Sequence, residues 1–177
     1  MKQKKCKSCG QKFQLFNSLQ KVCSPTCAID LVEKEKKREF KLETRRLKEK
    51  VKTRSEWARE AQAAINRWVR LRDHGKPCIS CGRHHKGQYH AGHYKTVGAN
   101  PEMRFLPVNL RKQCAPCNSH LSGNLINYRK RLVELEGEEL VDFLEGPQPM
   151  RKYTIEELKE IKQGFNQWAN ELEKLID

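Results

Sequence analysis

The sequence predicts an α+β protein with a small zinc-stabilised core, long flanking α-helices and an N-terminal zinc finger. Eight cysteines fall into two separate sets of four, each arranged as two close pairs. The stretch from Ala28 to about Arg72 contains no proline or glycine and is therefore predicted to be one long helix. Residues 78–124 contain short strand-like segments, around 88–94 and 103–106. Together these features indicate metal-stabilised strands held between helices.

The first cysteine set predicts a zinc finger in residues 1–28. Its four members are Cys6, Cys9, Cys23 and Cys27, with Lys2, Lys4, Lys5, Lys7 and Lys12 around them. Four thiolates complete a closed tetrahedral zinc site, and a module of this size needs the metal to fold. The pattern leaves open whether the finger binds DNA, binds a partner or caps the following helix.

The predicted long helix, residues 29–72, has two different halves. From Glu33 to Arg54 it holds 11 Lys and Arg and 5 Glu around a thin apolar stripe, which is typical of a solvated arm or a weak coiled segment. In the second half, apolar residues recur at helical spacing and predict one buried face: Trp57, Ala61, Ala64, Ile65, Trp68 and Val69.

The second cysteine set predicts a structural zinc site in residues 73–146. Cys78 and Cys81 form one Cys-x-x-Cys knuckle, and Cys114 and Cys117 form the other. A redox Cys-x-x-Cys is the alternative, but two such pairs without a thioredoxin-like pattern favour zinc. The long gap between the knuckles predicts an inserted functional segment. A helix is expected to begin near Ala115 or Pro116.

Residues 147–177 are predicted to form a C-terminal helix after the linker Gly146-Pro-Gln-Pro149. Thr154 and Glu157 form a capping box, which marks the start of this helix. Its apolar stripe is expected to pack against the body of the protein or against a second copy. The stripe comprises Ile155, Leu158, Ile161, Phe165, Trp168, Leu172 and Leu175.

Charge predicts a nucleic-acid partner. The formal net charge is +14, and residues 1–133 hold 31 Lys and Arg against 10 Asp and Glu, whereas residues 134–177 hold 5 against 12. A basic surface of this kind commonly binds phosphates, although a highly charged soluble protein without such a partner is the alternative. No apolar run approaches the roughly 20 residues needed to span a bilayer, and the N-terminus lacks a signal-peptide pattern. We therefore expect a cytoplasmic protein without a membrane partner.

The segment between the second pair of knuckles carries a recognisable motif order. It reads Ala91-Gly-His-Tyr94, then Asn109, then Gln113-Cys-Ala-Pro-Cys-Asn118, then Ser122-Gly-Asn124. In this order the sequence resembles the HNH (ββα-metal) endonucleases and, more closely, the phage NinG/Rap recombination proteins. Those are structure-selective endonucleases acting on branched DNA such as Holliday junctions and D-loops. The resemblance covers the central third well and implies the host cytoplasm as location.

The resemblance implies a metal-dependent hydrolase. His93 would be the base that activates water, since a neutral imidazole can take a proton at physiological pH. Asn109 would orient His93 or hold the hairpin that presents it. Asn118 would be an oxygen ligand for one Mg²⁺ or Mn²⁺ ion that stabilises the leaving oxygen.

One position departs from the family pattern. Where the family places a ligand directly before the base, this chain has Gly92, which has no side chain. His90 is the nearest substitute, but on a regular strand it would face away from His93 unless the chain turned at Ala91-Gly92. On the following helix Ser122, four residues after Asn118, would share its face.

The predicted DNA-binding residues flank this motif: Lys95, Arg104, Arg111, Lys112, Arg129 and Lys130. Paired cuts across a junction need two active sites, so a homodimer is expected, with the long helices as candidate interfaces. Two other functions remain open: a non-catalytic zinc-containing adaptor that binds DNA or a recombination partner, and an HNH nuclease acting on ordinary duplex. The absence of a recognisable sequence-reading module disfavours the last.

Overall fold

The computed structural model describes residues 3–176, so Lys2 of the predicted finger lies outside the described residues. The chain divides into two compact units, Met1–Lys52 and Thr53–Asp177. The mixture of helices with two small sheets confirms the α+β class. No helix within residues 3–176 combines the length and apolar character required to cross a membrane.

The first unit contains a two-stranded antiparallel sheet and one helix. Strands β1 (Gln3–Lys5) and β2 (Lys12–Gln14) pair with Lys4 opposite Phe13. Helix α1 (Pro25–Lys50) begins at Ser24, whose hydroxyl accepts a hydrogen bond from the backbone N–H of Cys27 at 3.2 Å. None of the described α1 residues is buried, as its thin apolar stripe predicted.

The second unit begins with helix α2 (Arg54–Arg72), and this corrects the prediction of a single helix over 29–72. Thr53 starts α2 with a capping box, in which the Thr53 hydroxyl accepts from the Glu56 N–H and the Glu56 carboxylate accepts from the Thr53 N–H. In a continuous helix, the N–H groups of Thr53 and Glu56 would bond to carbonyls of the preceding turn. Because this capping pair bonds them through side chains instead, it favours the start of a new helix at Thr53. The same Thr-x-x-Glu signal was readable in the sequence.

Strands β3 (Tyr89–His93) and β4 (Leu110–Cys114) form the second antiparallel pair. The predicted strand at 103–106 is absent, since short 3₁₀ turns at Pro101–Met103 and Pro107–Asn109 occupy the connection. A short π-helix, Pro116–His120, follows β4 where a helix was expected. The remaining helices are α3 (Leu125–Glu136), α4 (Glu138–Glu145) and α5 (Ile155–Ile176).

The main core lies between α2 and α5, so the stripe of the C-terminal helix packs on the body of its own chain. Ile65 and Val69 of α2 are fully buried beside Leu158 and Phe165 of α5. The two helices run in the same direction, because Glu60 pairs with Lys162 and Arg67 with Glu173. Burial of each large aliphatic side chain contributes about 1.5–3 kcal/mol. A second core joins the connection after β3 to α3 and α4 and includes Tyr94, Met103, Tyr128, Leu132, Val141 and Leu144.

The strand pair is fastened to the end of α2 by Arg72 and Asp73. Arg72 donates to the carbonyls of Pro107 and Leu110, at 3.2 and 2.7 Å. Buried Asp73 accepts from the backbone N–H of Lys112 at 3.1 Å. Burial alone would raise the pKa of Asp73, but hydrogen bonds and the charge of Arg72 hold this pKa below its ordinary value. The carboxylate therefore stays ionised and fixes β4 against α2.

Candidate active site and metal centres

The β3–β4 pair carries most of the predicted site residues. Its register is unbroken, with His90 opposite Gln113 and His93 opposite Leu110. The turn at Ala91-Gly92, which His90 would have needed in order to face the same side as His93, is therefore not present. His93 ends β3, and the 16-residue connection 94–109 that follows it returns the chain to β4.

His93 makes one hydrogen bond that fixes its chemistry. Its Nε2 lies 3.0 Å from the backbone carbonyl oxygen of Arg104, and the ring is half-buried. Because a carbonyl oxygen can only accept, Nε2 carries the proton and the lone pair of the neutral ring resides on Nδ1. Desolvation by burial lowers the pKa of His93 below its ordinary value. The imidazole is therefore neutral at physiological pH, with Nδ1 as its basic atom.

Asn109 is fully buried and bonds to the loop rather than to the His93 ring. Its Nδ2 donates to the carbonyls of Lys95 at 3.0 Å and Met103 at 3.2 Å. Its Oδ1 accepts from the backbone N–H of Lys95 at 2.7 Å. These three bonds tie together the two ends of segment 95–103, which leads directly into Arg104. Of the two roles considered for Asn109, this geometry corresponds to holding the segment that presents His93.

His90 and Asn118 are in direct contact. Nδ2 of Asn118 lies 2.9 Å from Nδ1 of His90, which joins β3 to the π-helix. Rotation of the Asn118 amide by half a turn would exchange its nitrogen and oxygen and bring Oδ1 beside Nδ1 of His90. The pair thus offers one imidazole nitrogen and one amide oxygen, the two donors that the sequence nominated for a divalent metal.

An open cleft lies beside this pair and contains residues that sequence reasoning missed. Its volume is about 640 Å³, and it is lined by Asn66, Arg70, Gln88, Tyr89, His90, Ala91 and Asn118. Arg70 is exposed, and no ion pair or hydrogen bond engages its side chain among residues 3–176. The sequence placed Arg70 on a basic helix, but only the packing of α2 brings it to this cleft.

Gly92, the departure from the family pattern, is buried against Gln113. The side chain of Gln113 fills the space in which a side chain at position 92 would lie. The Gln113 Nε2 donates to the Ser80 hydroxyl at 2.6 Å and to the Gly123 carbonyl at 2.5 Å. The site therefore has no room for a ligand directly before His93.

The second cysteine set forms a compact cluster that could hold one ion. The sulfurs of Cys78, Cys81, Cys114 and Cys117 lie within 4.8 Å of one another. His85, to which the sequence gave no role, places Nε2 3.2 Å from the Cys81 sulfur. A thiolate there would accept from Nε2–H, the kind of outer contact that stabilises a metal ligand. The donor set fits a closed structural zinc site and leaves no open position for catalysis.

The first set forms an equivalent cluster in the other unit, where the sulfurs of Cys6, Cys9, Cys23 and Cys27 also lie within 4.8 Å. The two clusters share a local device. Gly10 follows Cys9 with φ +77°, and Gly82 follows Cys81 with φ +66°. In both, this glycine N–H donates to the carbonyl of the first cysteine of its knuckle, Cys6 or Cys78. Glycine permits the left-handed turn that wraps the chain around the metal position.

The structure separates the predicted DNA-binding cations into two groups. Arg111 and Lys112 are buried; Arg111 bonds Glu136 at 2.7 Å, and the Lys112 ammonium bonds the His74 carbonyl at 2.6 Å. Arg104 donates to Gln62 on α2, and burial lowers its pKa. These three cations serve the protein's own packing, so we correct the prediction that they are available to phosphate.

The other predicted cations are more accessible. Arg129 is paired with Glu138 and Glu145 of the acidic segment, at 2.6 and 3.1 Å. The side chains of Lys95 and Lys130 have no hydrogen bond or ion pair within residues 3–176. The acidic residues after 133 thus provide counter-charges for cations of the second unit. Of the six predicted cations, Lys95 and Lys130 are therefore free within the described residues, and the unpredicted Arg70 is a further free cation at the cleft.

The fold and its sites define a class: an α+β protein with two four-cysteine clusters, each able to hold a zinc ion. Residues 1–175 match the family described as Bacteriophage Lambda NinG protein. The chain belongs to the NinG family.

Individual relatives agree with this assignment. Protein ninG of Escherichia phage lambda is 38% identical over 191 residues, covering 96% of this chain and 93% of that protein. Protein ninG of Salmonella phage P22 has the same identity and coverage. Protein ninG of Escherichia phage 933W is 43% identical over 132 residues, covering 75% of this chain and 65% of that protein. No solved structure matches the chain.

Proposed function

We propose that the protein is a structure-selective DNA endonuclease that hydrolyses phosphodiester bonds in branched recombination intermediates, such as Holliday junctions and D-loops. The observation that carries this proposal is the 3.0 Å contact between His93 Nε2 and the Arg104 carbonyl oxygen. It leaves Nδ1 as the proton acceptor of a neutral imidazole. A histidine held in this way is suited to general-base chemistry.

In this mechanism His93 takes a proton from the water that attacks the phosphorus. The lowered pKa of His93 keeps the ring neutral and ready at physiological pH. Once Nδ1 is protonated, the imidazolium remains hydrogen-bonded to the Arg104 carbonyl, whose partial negative charge stabilises it. Asn109 is a positioning residue, because it holds the segment that leads to Arg104. General-base catalysis of this kind contributes about 10²–10⁴-fold in rate.

A divalent cation fits the donors of His90 and Asn118. The Asn118 amide oxygen would be the hard donor that suits Mg²⁺ or Mn²⁺, and one His90 imidazole nitrogen would be the second protein ligand. When bound, such an ion supplies charge stabilisation to the phosphate and the leaving oxygen. Arg70, in the same cleft, would hold a neighbouring phosphate.

The contacts available to DNA favour binding without a sequence preference. Arg70, Lys95 and Lys130 are cations suited to phosphates, which position DNA without reading bases. Cleavage of both strands of a junction requires two active sites, so we propose a homodimer as the working form. A monomeric mass in light scattering at the assay concentration would contradict that form.

A second candidate function is a zinc-containing adaptor that binds DNA without cutting it. Two observations favour it. No Asp or Glu is among the described residues that line the cleft at His90 and Asn118. In addition, the regular register of β3 puts His90 and His93 on opposite strand faces.

The test is a cleavage assay on a four-way junction and on a linear duplex of matched sequence, with Mg²⁺, Mn²⁺ or neither. We expect metal-dependent cutting of the junction, with the duplex spared, and loss of cutting in His93→Ala. His84→Ala is the matched control, because His84 is exposed and has no hydrogen bond among the described residues. Tight junction binding without cutting by the unaltered protein would establish the adaptor instead.

A further inference from the structure

The first unit presents two large apolar side chains to solvent in an otherwise basic finger. Phe16 is 99% exposed and Leu19 is 84% exposed, both in the segment between β2 and the second knuckle of the first cysteine cluster. Exposed apolar residues that occur together within a polar surface are the kind of feature that marks an interaction site. Neither residue is needed by the nuclease chemistry proposed above.

The loop is built so that these side chains stay exposed. The backbone N–H of Phe16 donates to the Gln20 side chain at 2.9 Å, and that of Leu19 donates to the Asn17 side chain at 3.0 Å. Gln20 in turn donates through Nε2 to the Val22 carbonyl at 3.0 Å. These contacts order the turn from within, so Phe16 is displayed by a defined structure.

The charge around the loop selects the kind of partner. Residues 3–28 contain no Asp or Glu. All five lysines of this segment are exposed: Lys4, Lys5, Lys7, Lys12 and Lys21. Such a surface attracts a polyanion and repels basic proteins. An aromatic ring among lysines is the combination that holds single-stranded nucleic acid, with phosphates on the cations and a base stacked on the ring.

We propose that Phe16, supported by Leu19, stacks on an unpaired or unstacked base where a DNA duplex is interrupted. In a continuous duplex each base face is covered by its neighbours, whereas a branch point exposes base faces. The finger would thereby add structure selectivity through stacking, while its lysines bind phosphates of any DNA. This inference rests on the proposed action on branched DNA but not on the cleavage step.

Binding is measured without added Mg²⁺ or Mn²⁺, with zinc retained, on a four-way junction and on a linear duplex of the same arm sequence. Phe16→Ala should weaken junction binding at least about fivefold, the effect of losing one stacked base. Duplex binding should be unchanged, and Phe16→Trp should keep the junction preference. Phe40→Ala is the matched control, because Phe40 is also exposed, at 73%, but lies on α1; it should bind as the unaltered protein does.

A fluorescent base analogue placed at the branch point reports stacking directly. Its emission should change on binding of the unaltered protein and of Phe40→Ala, but not of Phe16→Ala. Three results would overturn the proposal. In the first, Phe16→Ala weakens binding to the junction and to the duplex equally, and in the second it leaves junction binding unchanged. The third is that Phe40→Ala weakens junction binding as much as Phe16→Ala does. If the unaltered protein does not cut DNA but its preference for the junction depends on Phe16, only the proposed nuclease activity is refuted. If the protein cuts the junction but Phe16→Ala binds it as tightly as the unaltered protein does, only this inference is refuted.

Discussion

Gln113 occupies the position that a side chain at residue 92 would need: a Cβ built on Gly92 would lie 2.1 Å from Oε1 of Gln113 and 3.0 Å from its Cβ. Gln113 is fully buried, and its Nε2 is bonded to Ser80 and Gly123. The carboxamide therefore cannot move aside without losing buried hydrogen bonds. This packing explains physically why glycine precedes the proposed base.

Gly92→Ala should lower the free energy of unfolding by about 1–3 kcal/mol, because the added methyl group overpacks the contact with Gln113. Urea unfolding followed by tryptophan fluorescence measures this change. Gly98→Ala is the control, since a Cβ there meets no atom within 4 Å. The double variant Gly92→Ala/Gln113→Ala should be less destabilised than the sum of its single changes. Strict additivity of the two effects would argue against the steric explanation.

The acidic limb of the cleavage rate against pH should have its midpoint below about 6.5, the ordinary pKa of histidine. Burial lowers the pKa of His93, so the neutral base persists to lower pH than a free imidazole would. The sign for stability is opposite to that of a salt-bridged histidine. Below about pH 6.5 the unfolded chain binds a proton that folded His93 resists, so the His93 contribution to stability falls as pH decreases toward the lowered pKa. A midpoint above 6.5 would contradict this assignment of the base.

Asn109→Ala should destabilise the second unit by about 3 kcal/mol, because it removes three hydrogen bonds and leaves backbone groups of Lys95 and Met103 without partners. Cleavage should also fall, since the segment that leads to Arg104 is no longer held. Asn127→Ala is the matched control. Asn127 is exposed with one side-chain bond to Asn124, and its replacement should change stability by less than about 0.5 kcal/mol. Equal stability of the two variants would show that Asn109 does not hold the loop.

His90→Ala and Asn118→Ala should each raise the Mg²⁺ concentration for half-maximal cleavage at least about tenfold, because each removes one of two protein donors. Titration of the cleavage rate with Mg²⁺ separates this effect from a lower maximal rate. Ser119→Ala serves as control, since Ser119 is exposed in the same π-helix. A normal Mg²⁺ requirement in both variants would place the catalytic ion elsewhere.

The protein should bind two zinc ions per chain, one in each cysteine cluster. Cys9→Ser and Cys114→Ser should each reduce the zinc content to one, measured by elemental analysis. Their effects on stability should differ, because Cys9 is exposed in the first unit and Cys114 is buried in the second. All three tryptophans lie in the second unit, so melting followed by tryptophan fluorescence should change in Cys114→Ser but not in Cys9→Ser. Loss of both ions from either single change would contradict two independent sites.

Local patterns in the sequence predicted a large part of this molecule. The cysteine spacings predicted both clusters, because two thiolates of a knuckle need only a few intervening residues to reach one ion. The capping box at Thr154 and the apolar stripe after it predicted the start and the buried face of α5. The resemblance carried by His93, Asn109 and Asn118 was likewise recognisable from their order along the chain.

Tertiary packing decided the rest. The sequence predicted His90 and Asn118 separately as candidate metal ligands. Their 2.9 Å contact exists only because β3 lies beside the π-helix that follows β4. The sequence also nominated Arg111 and Lys112 as surface cations, whereas the attachment of β4 to the end of α2 buries both. Spacing along the chain predicts contacts between groups that are only a few residues apart, such as the two cysteines of a knuckle. Whether a charge faces solvent or a carbonyl depends on elements brought together from distant positions, and no local pattern records that.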